Sequence, residues 1–444
     1  MALTGLEIFK LLPKSNCKKC GKPTCLAFAM ALAQKKAKLE ECPEASEEAK
    51  SALAEASAPP ISLVKFGTGD NEVHIGQETV MFRHEEKFYN PTVIAVSVSD
   101  KLAGDALKER IELINSLRFE RVGTQLQVGA VAVINDSGSP DTFASAAGTV
   151  KKASPLAMIL VSESPDALGA ATAKVADVRP LLASAALDTA EAVAKIGKEN
   201  NCPVVAQAES VEALAELTGN IKAAGVEEIV LSLKAQSLKD ELYGLSRIRA
   251  AALKKTFRPL GYPTVSFVLE GNGEAQAAKG ISLICKYSSI VVVETVERHA
   301  ILPMLTAVMN IFTDPQKPVQ VEAKVYKVGE PGSDSPILMT TNFSLTYYTV
   351  ESDAEASRVP CYILVVDTEG TSVLTAYSGD KLNEKIVAEA MKKNDVDGLV
   401  RHHKLIIPGY VAVMSGKLEE ETGWEIAVGP RESSMLPKYL QEVA

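Results

Sequence analysis

Eight short apolar runs punctuate the chain between Pro91 and Val296, and their spacing constrains the fold more than any other feature. They are PTVIAVSV from Pro91, GAVAVIND from Gly129, LAMILVSE from Leu156, RPLLASAA from Arg179, PVVAQAES from Pro203, EIVLSLKA from Glu228, TVSFVLEG from Thr264 and SIVVVETV from Ser289. Runs that are apolar on both faces belong in a buried parallel sheet. Most spacers are long enough for a crossover helix, as in VEALAELTGNIKAAG between the fifth and sixth runs. Eight βα units in some 200 residues fit a compact (β/α)8 TIM barrel, with an open doubly wound sheet as the alternative. The runs end in Ser97, Asn135, Ser162 and Glu163, Gln207 and Glu209, Lys234, Glu270 and Glu294. No His/Cys dyad or metal-ligand trio stands out among them, so no chemistry is assigned to that edge.

The 444 residues suggest two or three domains. A net charge of −9 argues against a nucleic-acid partner. MALTGLEIFKLLPKSN at the start lacks the pattern of a secretory signal, and no apolar stretch reaches the roughly 20 residues that span a bilayer. A cytoplasmic protein without membrane attachment is expected. Clustered cysteines in such a compartment bind metal or do redox chemistry more often than they form disulfides.

Four of the seven cysteines crowd into one stretch, Cys17, Cys20, Cys25 and Cys42, spaced C-x2-C-x4-C-x16-C. All-thiolate ligation suits zinc or an iron–sulfur cluster. Zinc sites usually show two paired knuckles, and the second pair is missing here. A short loop with a distant fourth cysteine followed by Pro43 looks more like a four-iron cluster, while zinc and a purely structural role remain open. An unbroken helix from Cys25 to Cys42 would span about 25 Å. The helix opening after Thr24 must therefore end near Gln34–Lys38, and an extended return of about 20 Å brings Cys42 back. So small a module has little core and leans on its metal. Cys202, Cys285 and Cys361 sit beside apolar segments and read as small buried hydrophobes.

A charged stretch, EASEEAKSALAEASA, reads as a helix. Residues 52–60, closing on Pro59-Pro60, and residues 313–336, rich in proline, glycine and charge, read as linkers. Domains are expected over 1–58, 59–318 and 319–444. The last holds four strand–loop–helix units, with strands ILMTT from Ile337, YILVVDT from Tyr362, KLIIP from Lys404 and WEIAVG from Trp424. A Rossmann-like sheet binds ligands beyond the carboxyl ends of its strands, where helix N-termini offer backbone N–H groups. Candidate ligand residues are Thr340, Thr341, Asn342 and Thr346 from the first unit, and Gly370, Thr371, Ser372, Val373, Leu374, Thr375 and Tyr377 from the second. Gly409, Tyr410, Gly429, Pro430, Ser433 and Ser434 complete the set. Each has a plainer reading as a cap or turn residue. A polar platform of this kind suits a large ring with amide arms and one phosphate in its tail. The five histidines, His74, His84, His299, His402 and His403, form no D-x-H-x-x-G pattern. His402 and His403 precede a strand, at the end opposite these loops.

The four-cysteine module, the barrel and the segments TTNFSLTYYT and DTEGTSVLTAYSGD together resemble the large (gamma) subunit of the corrinoid iron–sulfur protein family of the reductive acetyl-CoA pathway. The resemblance covers essentially the whole chain. It implies a [4Fe-4S] cluster on Cys17, Cys20, Cys25 and Cys42, and a base-off cobamide, held with no protein histidine below cobalt, on the C-terminal loops. It implies a methyl carrier rather than a self-sufficient catalyst. Co(I) would take a methyl group from methyltetrahydrofolate, held by a separate methyltransferase, and deliver it to acetyl-CoA synthase/CO dehydrogenase. A small barrel subunit would complete a heterodimer. The cluster would return Co(II) to Co(I), the two linkers would act as hinges, and Thr375 or a neighbour would lie under cobalt without bonding it. Rival expectations are an iron–sulfur oxidoreductase using a flavin, a zinc-stapled scaffold, and a self-contained corrinoid methyltransferase.

Overall fold

The structure is a computed structural model describing residues 5–33, 37, 41–46 and 59–443. The charged helix and most of the first linker fall outside these residues. Two compact units result, Met1–Phe119 with Leu126–Phe312, and Thr313–Ala444 with Glu120–Gln125.

The first unit begins with two short helices, α1 (Gly5–Leu11) and α2 (Cys25–Ala33), followed by a hairpin of β1 (Leu63–Phe66) and β2 (Val73–Gly76). Parallel strands follow: β3 (Val93–Ser99), β6 (Ala130–Ile134), β7 (Ala157–Val161), β8 (Leu181–Ala185), β9 (Val204–Ala208), β10 (Ile229–Leu233), β11 (Val265–Val268) and β12 (Ile290–Val293). A hairpin of β4 (Arg118–Arg121) and β5 (Thr124–Gln127) interrupts the first unit of the series. The crossover helices are α3 (Gly104–Asn115), α4 (Pro140–Ala153), α5 (Pro165–Val175), α6 (Ala190–Glu199), α7 (Val211–Ala223), α8 (Leu238–Lys255) and α9 (Gly273–Cys285), and α10 (Arg298–Phe312) closes the series.

Each of the eight apolar runs forms its strand, in the order β10-β9-β8-β7-β6-β3-β12-β11. The ends of that order meet. A parallel bridge joins Leu231 to Thr264, and Leu231 N–H donates to the Pro263 carbonyl at 2.8 Å. The sheet is therefore a closed barrel rather than an open one. Serines set the helix starts: Ser139, Ser164, Ser210 and Ser237 each accept an N–H three residues on, and Asn272 does the same for α9. Pleating splits the strand residues between two cores. Val96, Val131 and Leu160 face the helices, while Ala95, Ala132 and Ile159 fill the barrel. The β1–β2 hairpin adds Val64, Phe66 and Ile75 to that interior core. Full burial of such side chains is worth roughly 1.5–3 kcal/mol each.

The second unit is an open sheet in the order β13-β15-β14-β16-β17. Its strands are β13 (Val325–Val328), β14 (Ile337–Thr341), β15 (Cys361–Val366), β16 (Lys404–Ile407) and β17 (Glu425–Val428). The last four are parallel to one another, and β13 pairs antiparallel with β15. Helices α11 (Ser344–Ser357) and α15 (Leu436–Val443) cover one face; α12 (Val373–Ser378), α13 (Glu384–Lys393) and α14 (Ser415–Thr422) cover the other. The stretch read as a linker over 313–336 is thus only partly a connection, because Val325–Val328 forms an edge strand within it. Proline and glycine there punctuate a strand that an edge position tolerates.

Candidate functional site

In the cysteine module, Cys25 opens α2, and Cys25, Cys42, Ile8, Leu12 and Phe28 form a small buried core that Cys20 packs against. Thr24 caps α2, its hydroxyl accepting Ala27 N–H at 3.1 Å. Asn16 and Cys25 are doubly linked. Cys25 N–H donates to Asn16 Oδ1 at 2.8 Å, and Asn16 N–H points at Cys25 Sγ at 3.3 Å. Such N–H···S contacts stabilise a thiolate ligand and tune the metal it holds. Lys19 and Glu44 pair at 2.5 Å, tying the Cys17–Cys20 loop to the segment after Cys42. Among the described residues no three cysteine sulfurs lie within 4.8 Å of one another. The ends of the return from α2, at Gln34–Lys36 and Lys38–Glu40, lie outside the described residues. Cys202 and Cys361 are buried as expected, but Cys285 is exposed: it is the last residue of α9, where an apolar neighbourhood in sequence does not ensure cover.

In the second unit a cavity of about 320 Å³ opens at the carboxyl ends of the strands. Its position follows from topology. The chain runs from β14 to β15 on one side and then returns to β16 on the other, and a crevice forms where strand order reverses. Strands β14 and β16 pair only through Ile337–Leu405 and Leu338–Ile406, so they part before their ends. Nine of the seventeen candidates line this crevice: Thr340, Thr346, Ser372, Val373, Leu374, Tyr410, Gly429, Pro430 and Ser433. The other eight do not. Thr341 is buried outside it. Thr375, Tyr377 and Ser434 are exposed and are not among its lining residues.

Asn342, Gly370, Thr371 and Gly409 shape the wall from behind. Asn342 Oδ1 accepts Thr368 N–H and Gly370 N–H, both at 3.0 Å, and its amide donates to Asp367 and Gln320. Gly370 has φ +72°, and a Cβ there would stand 2.6 Å from Gln320 Cγ. Thr371 donates from its hydroxyl to the Thr368 carbonyl at 2.7 Å. Gly409 lets two loops cross, since its Cβ would stand 2.7 Å from the Gly429 carbonyl oxygen.

Sequence reasoning missed the apolar floor of Leu338, Met339, Ile406 and Ile407, the helix residues Leu345, Thr349, Val350 and Leu436, and the rim residues Pro408, Arg431 and Glu432. The tyrosine hydroxyl of Tyr410 donates to Glu432 at 2.6 Å, which raises the Tyr410 pKa. Thr340, in the wall, carries a buried hydroxyl with no partner among the described residues. Exposed apolar side chains surround the opening, with Leu345, Leu374, Tyr410 and Met435 among them. A mostly apolar pocket with few polar groups and an apolar border is the usual form of a cofactor site. No histidine lines it. His403 stacks on Trp424, and His402 meets the Ser335 carbonyl, both at the start of β16.

Residues 63–440 match the family model described as "CO dehydrogenase/acetyl-CoA synthase delta subunit", and residues 12–44 match one described as "Putative Fe-S cluster". The chain is 45% identical over 434 residues to the corrinoid/iron-sulfur protein large subunit of Moorella thermoacetica, covering 98% of this chain and 97% of that one. It is 36% identical over 458 residues to the acetyl-CoA decarbonylase/synthase complex subunit gamma of Methanothermobacter thermautotrophicus, covering 100% of both. Among solved structures, dihydropteroate synthase from Thermus thermophilus is similar with a TM-score of 0.39 and 11% identity, over 56% of this chain and 99% of that one. That likeness is too slight to bear on function. The model's name refers to a delta subunit, whereas the relatives that match the cysteine module as well are large or gamma subunits. The chain therefore belongs to the family that this model and these relatives define, the corrinoid/iron–sulfur protein large subunits and acetyl-CoA decarbonylase/synthase gamma subunits.

Proposed function

We propose that this chain is a methyl carrier, with an iron–sulfur cluster in residues 1–58, a barrel over 59–318 and a Rossmann-like corrinoid-binding domain over 319–444. The observation that carries the reading is the pairing, in one chain, of a four-cysteine loop with a crevice that no histidine lines. When bound, a corrinoid supplies a cobalt centre whose Co(I) state is nucleophilic enough to accept a methyl group from methyltetrahydrofolate. Cys17, Cys20, Cys25 and Cys42 would hold a [4Fe-4S] cluster, with the Asn16 N–H on Cys25 setting its hydrogen bonding. Such a cluster, held by these four cysteines, would supply the electron that returns oxidised cobalt to Co(I).

The nine crevice residues would contact the corrinoid, and the other eight candidates, Thr375 included, would position the loops or border the ring. A cavity of about 320 Å³ is too small to enclose a corrin ring, so the ring would lie on the apolar border with its nucleotide tail inserted. The tail's base would then lie away from cobalt, and with no histidine lining the crevice the higher oxidation states of cobalt would lack a stabilising donor and reduction would be easier. The relatives' names describe subunits of larger assemblies. We extend this to a small subunit, a methyltransferase holding the methyl donor, and acetyl-CoA synthase/CO dehydrogenase as the receiver. Among the described residues no helix is long and apolar enough to cross a membrane.

Anaerobically purified protein tests this through a cobalt, iron and sulfide count with a visible spectrum under reduction. Roughly one cobalt and four irons with corrinoid bands are expected. A bound flavin, or zinc in place of iron, would reject the reading.

A further inference from the structure

Asn16 directly precedes Cys17, yet it reaches Cys25 through two hydrogen bonds. Cys25 is the first residue of α2, so its N–H is one of the opening donors that have no intrahelical acceptor. Asn16 Oδ1 takes that N–H at 2.8 Å, and Asn16 returns its own N–H to the Cys25 sulfur at 3.3 Å. Side chain and backbone of one residue thus fix both the position of Cys25 and the surroundings of its sulfur. Cys25 is buried among Ile8, Leu12 and Phe28, where a hydrogen bond is stronger than it is in water.

The local backbone supports the same arrangement. The φ angle is +57° at Lys14, +50° at Asn16 and +62° at Lys18, every second residue. Chain that alternates hand in this way turns successive N–H groups to one side and makes the kind of concavity that holds anions and iron–sulfur centres. Asparagine tolerates a left-handed φ that most side chains resist. The bond from Cys25 N–H to Oδ1 holds residue 16 in that conformation and so keeps its N–H on the sulfur.

We infer that Asn16 is a positioning residue for the iron–sulfur cluster, and that the N–H it holds on Cys25 raises the cluster's midpoint potential. The inference rests on the cluster reading above. An N–H donor draws negative charge from a thiolate ligand. The reduced cluster carries one electron more than the oxidised one, so it gains more from the contact.

The test uses the full-length chain, purified anaerobically. Iron and sulfide are counted, and titanium(III) citrate supplies one electron per cluster while the electron paramagnetic resonance signal of the reduced cluster is followed. Asn16→Ala removes the acceptor and disfavours the left-handed φ. Its reduction equilibrium is expected to fall about tenfold, or about 59 mV for one electron, the range for one hydrogen bond. Asn16→Gly removes the acceptor but keeps the φ accessible, and should fall by less. Thr24→Ala is the control. It loses the cap on Ala27 N–H and loosens the start of α2, so it should lower the thermal stability of the module and leave the potential unchanged. A wild-type potential in Asn16→Ala with four irons per chain overturns the proposal and spares the cluster. An equal fall in Thr24→Ala also overturns it, because a looser helix then accounts for the shift. Should Asn16→Ala retain no iron, Asn16→Gly decides: a lowered potential supports the proposal and a wild-type one overturns it. A wild-type chain without iron overturns the cluster reading and this proposal together.

Discussion

The barrel and the C-terminal sheet share one construction principle, parallel strands whose carboxyl ends run into helix-capping loops, yet they finish those ends differently. In the barrel the strand-end polar groups satisfy one another. Asp100 accepts the Ser137 hydroxyl at 2.6 Å, Ser162 accepts the Asn135 amide at 2.9 Å, and Gln207 links Ser184 to Ser232. Side chains fill the interior, and neighbouring strands stay paired along ladders except at the closure, where β10 and β11 meet through one bridge. In the C-terminal sheet two strands part early, a cavity remains, and the buried Thr340 hydroxyl has no partner among the described residues. The barrel edge is closed by its own side chains, and the crevice is left open. Thr341, the orphan next to Thr340, faces away from the crevice, and the structure offers no partner for it either.

Four perturbations break or sharpen this contrast. The largest effect is expected on the barrel side, at the buried pair of Arg249 and Glu78, 3.4 Å apart, with Arg249 set between Phe88 and Tyr287. Burial pushes the Glu78 carboxyl up against the attraction of Arg249. Glu78→Gln leaves a buried cation uncompensated and lowers barrel stability by about 3–5 kcal/mol, read by calorimetry, with corrinoid content unchanged. The next is Gly409→Val. Its Cβ would press on backbone at Gly429 and Arg431, so cobalt content should fall at least about tenfold, an effect of about 1.4 kcal/mol or more, while iron content holds.

A matched pair follows. Ser162→Ala strands the Asn135 amide and the Ser164 N–H, costing about 1–2 kcal/mol in urea unfolding. Thr340→Val removes an orphan hydroxyl, so it stabilises the corrinoid-free chain by up to about the same amount. Equal losses at the two positions would erase the distinction between a finished edge and an open one.

The smallest effect is a pH dependence. Burial pushes the Cys202 and Cys361 thiols up to about 11 from an ordinary 9.0. Above pH 9 the unfolded chain releases thiol protons that the folded chain keeps, so stability falls as pH rises from about 9 to 11. Each thiol should cost less than about 1 kcal/mol by pH ~9.5, seen as a declining urea midpoint that Cys361→Val flattens in the second unit.

How much of this was legible in the sequence follows the same physics. The eight barrel strands were readable because β-branched runs without alternation have no exposed face to offer. The β1–β2 hairpin was not, since only Val64, Phe66 and Ile75 face the core and Lys65 and His74 interrupt them. The edge strand β13 hid in the proline-rich stretch for a similar reason. At the crevice, residue type identified which loops reach the strand ends. It did not distinguish Thr340 from Asn342, because whether a polar group is already engaged depends on partners far along the chain, such as Thr368 and Gln320. Nor could Leu338, Met339, Ile406 and Ile407 be separated from ordinary strand core. They line a cavity because β14 and β16 part, and that divergence belongs to the sheet rather than to either segment.

The measurement that bears most directly on the central claim is the electron paramagnetic resonance spectrum of the Co(II) form of the full-length protein. A cobalt signal without nitrogen splitting is predicted, since no histidine lines the crevice and the proposed carrier would hold its corrinoid with the base away from cobalt. A nitrogen splitting that disappears when His74, His84, His299, His402 or His403 is replaced would contradict the account.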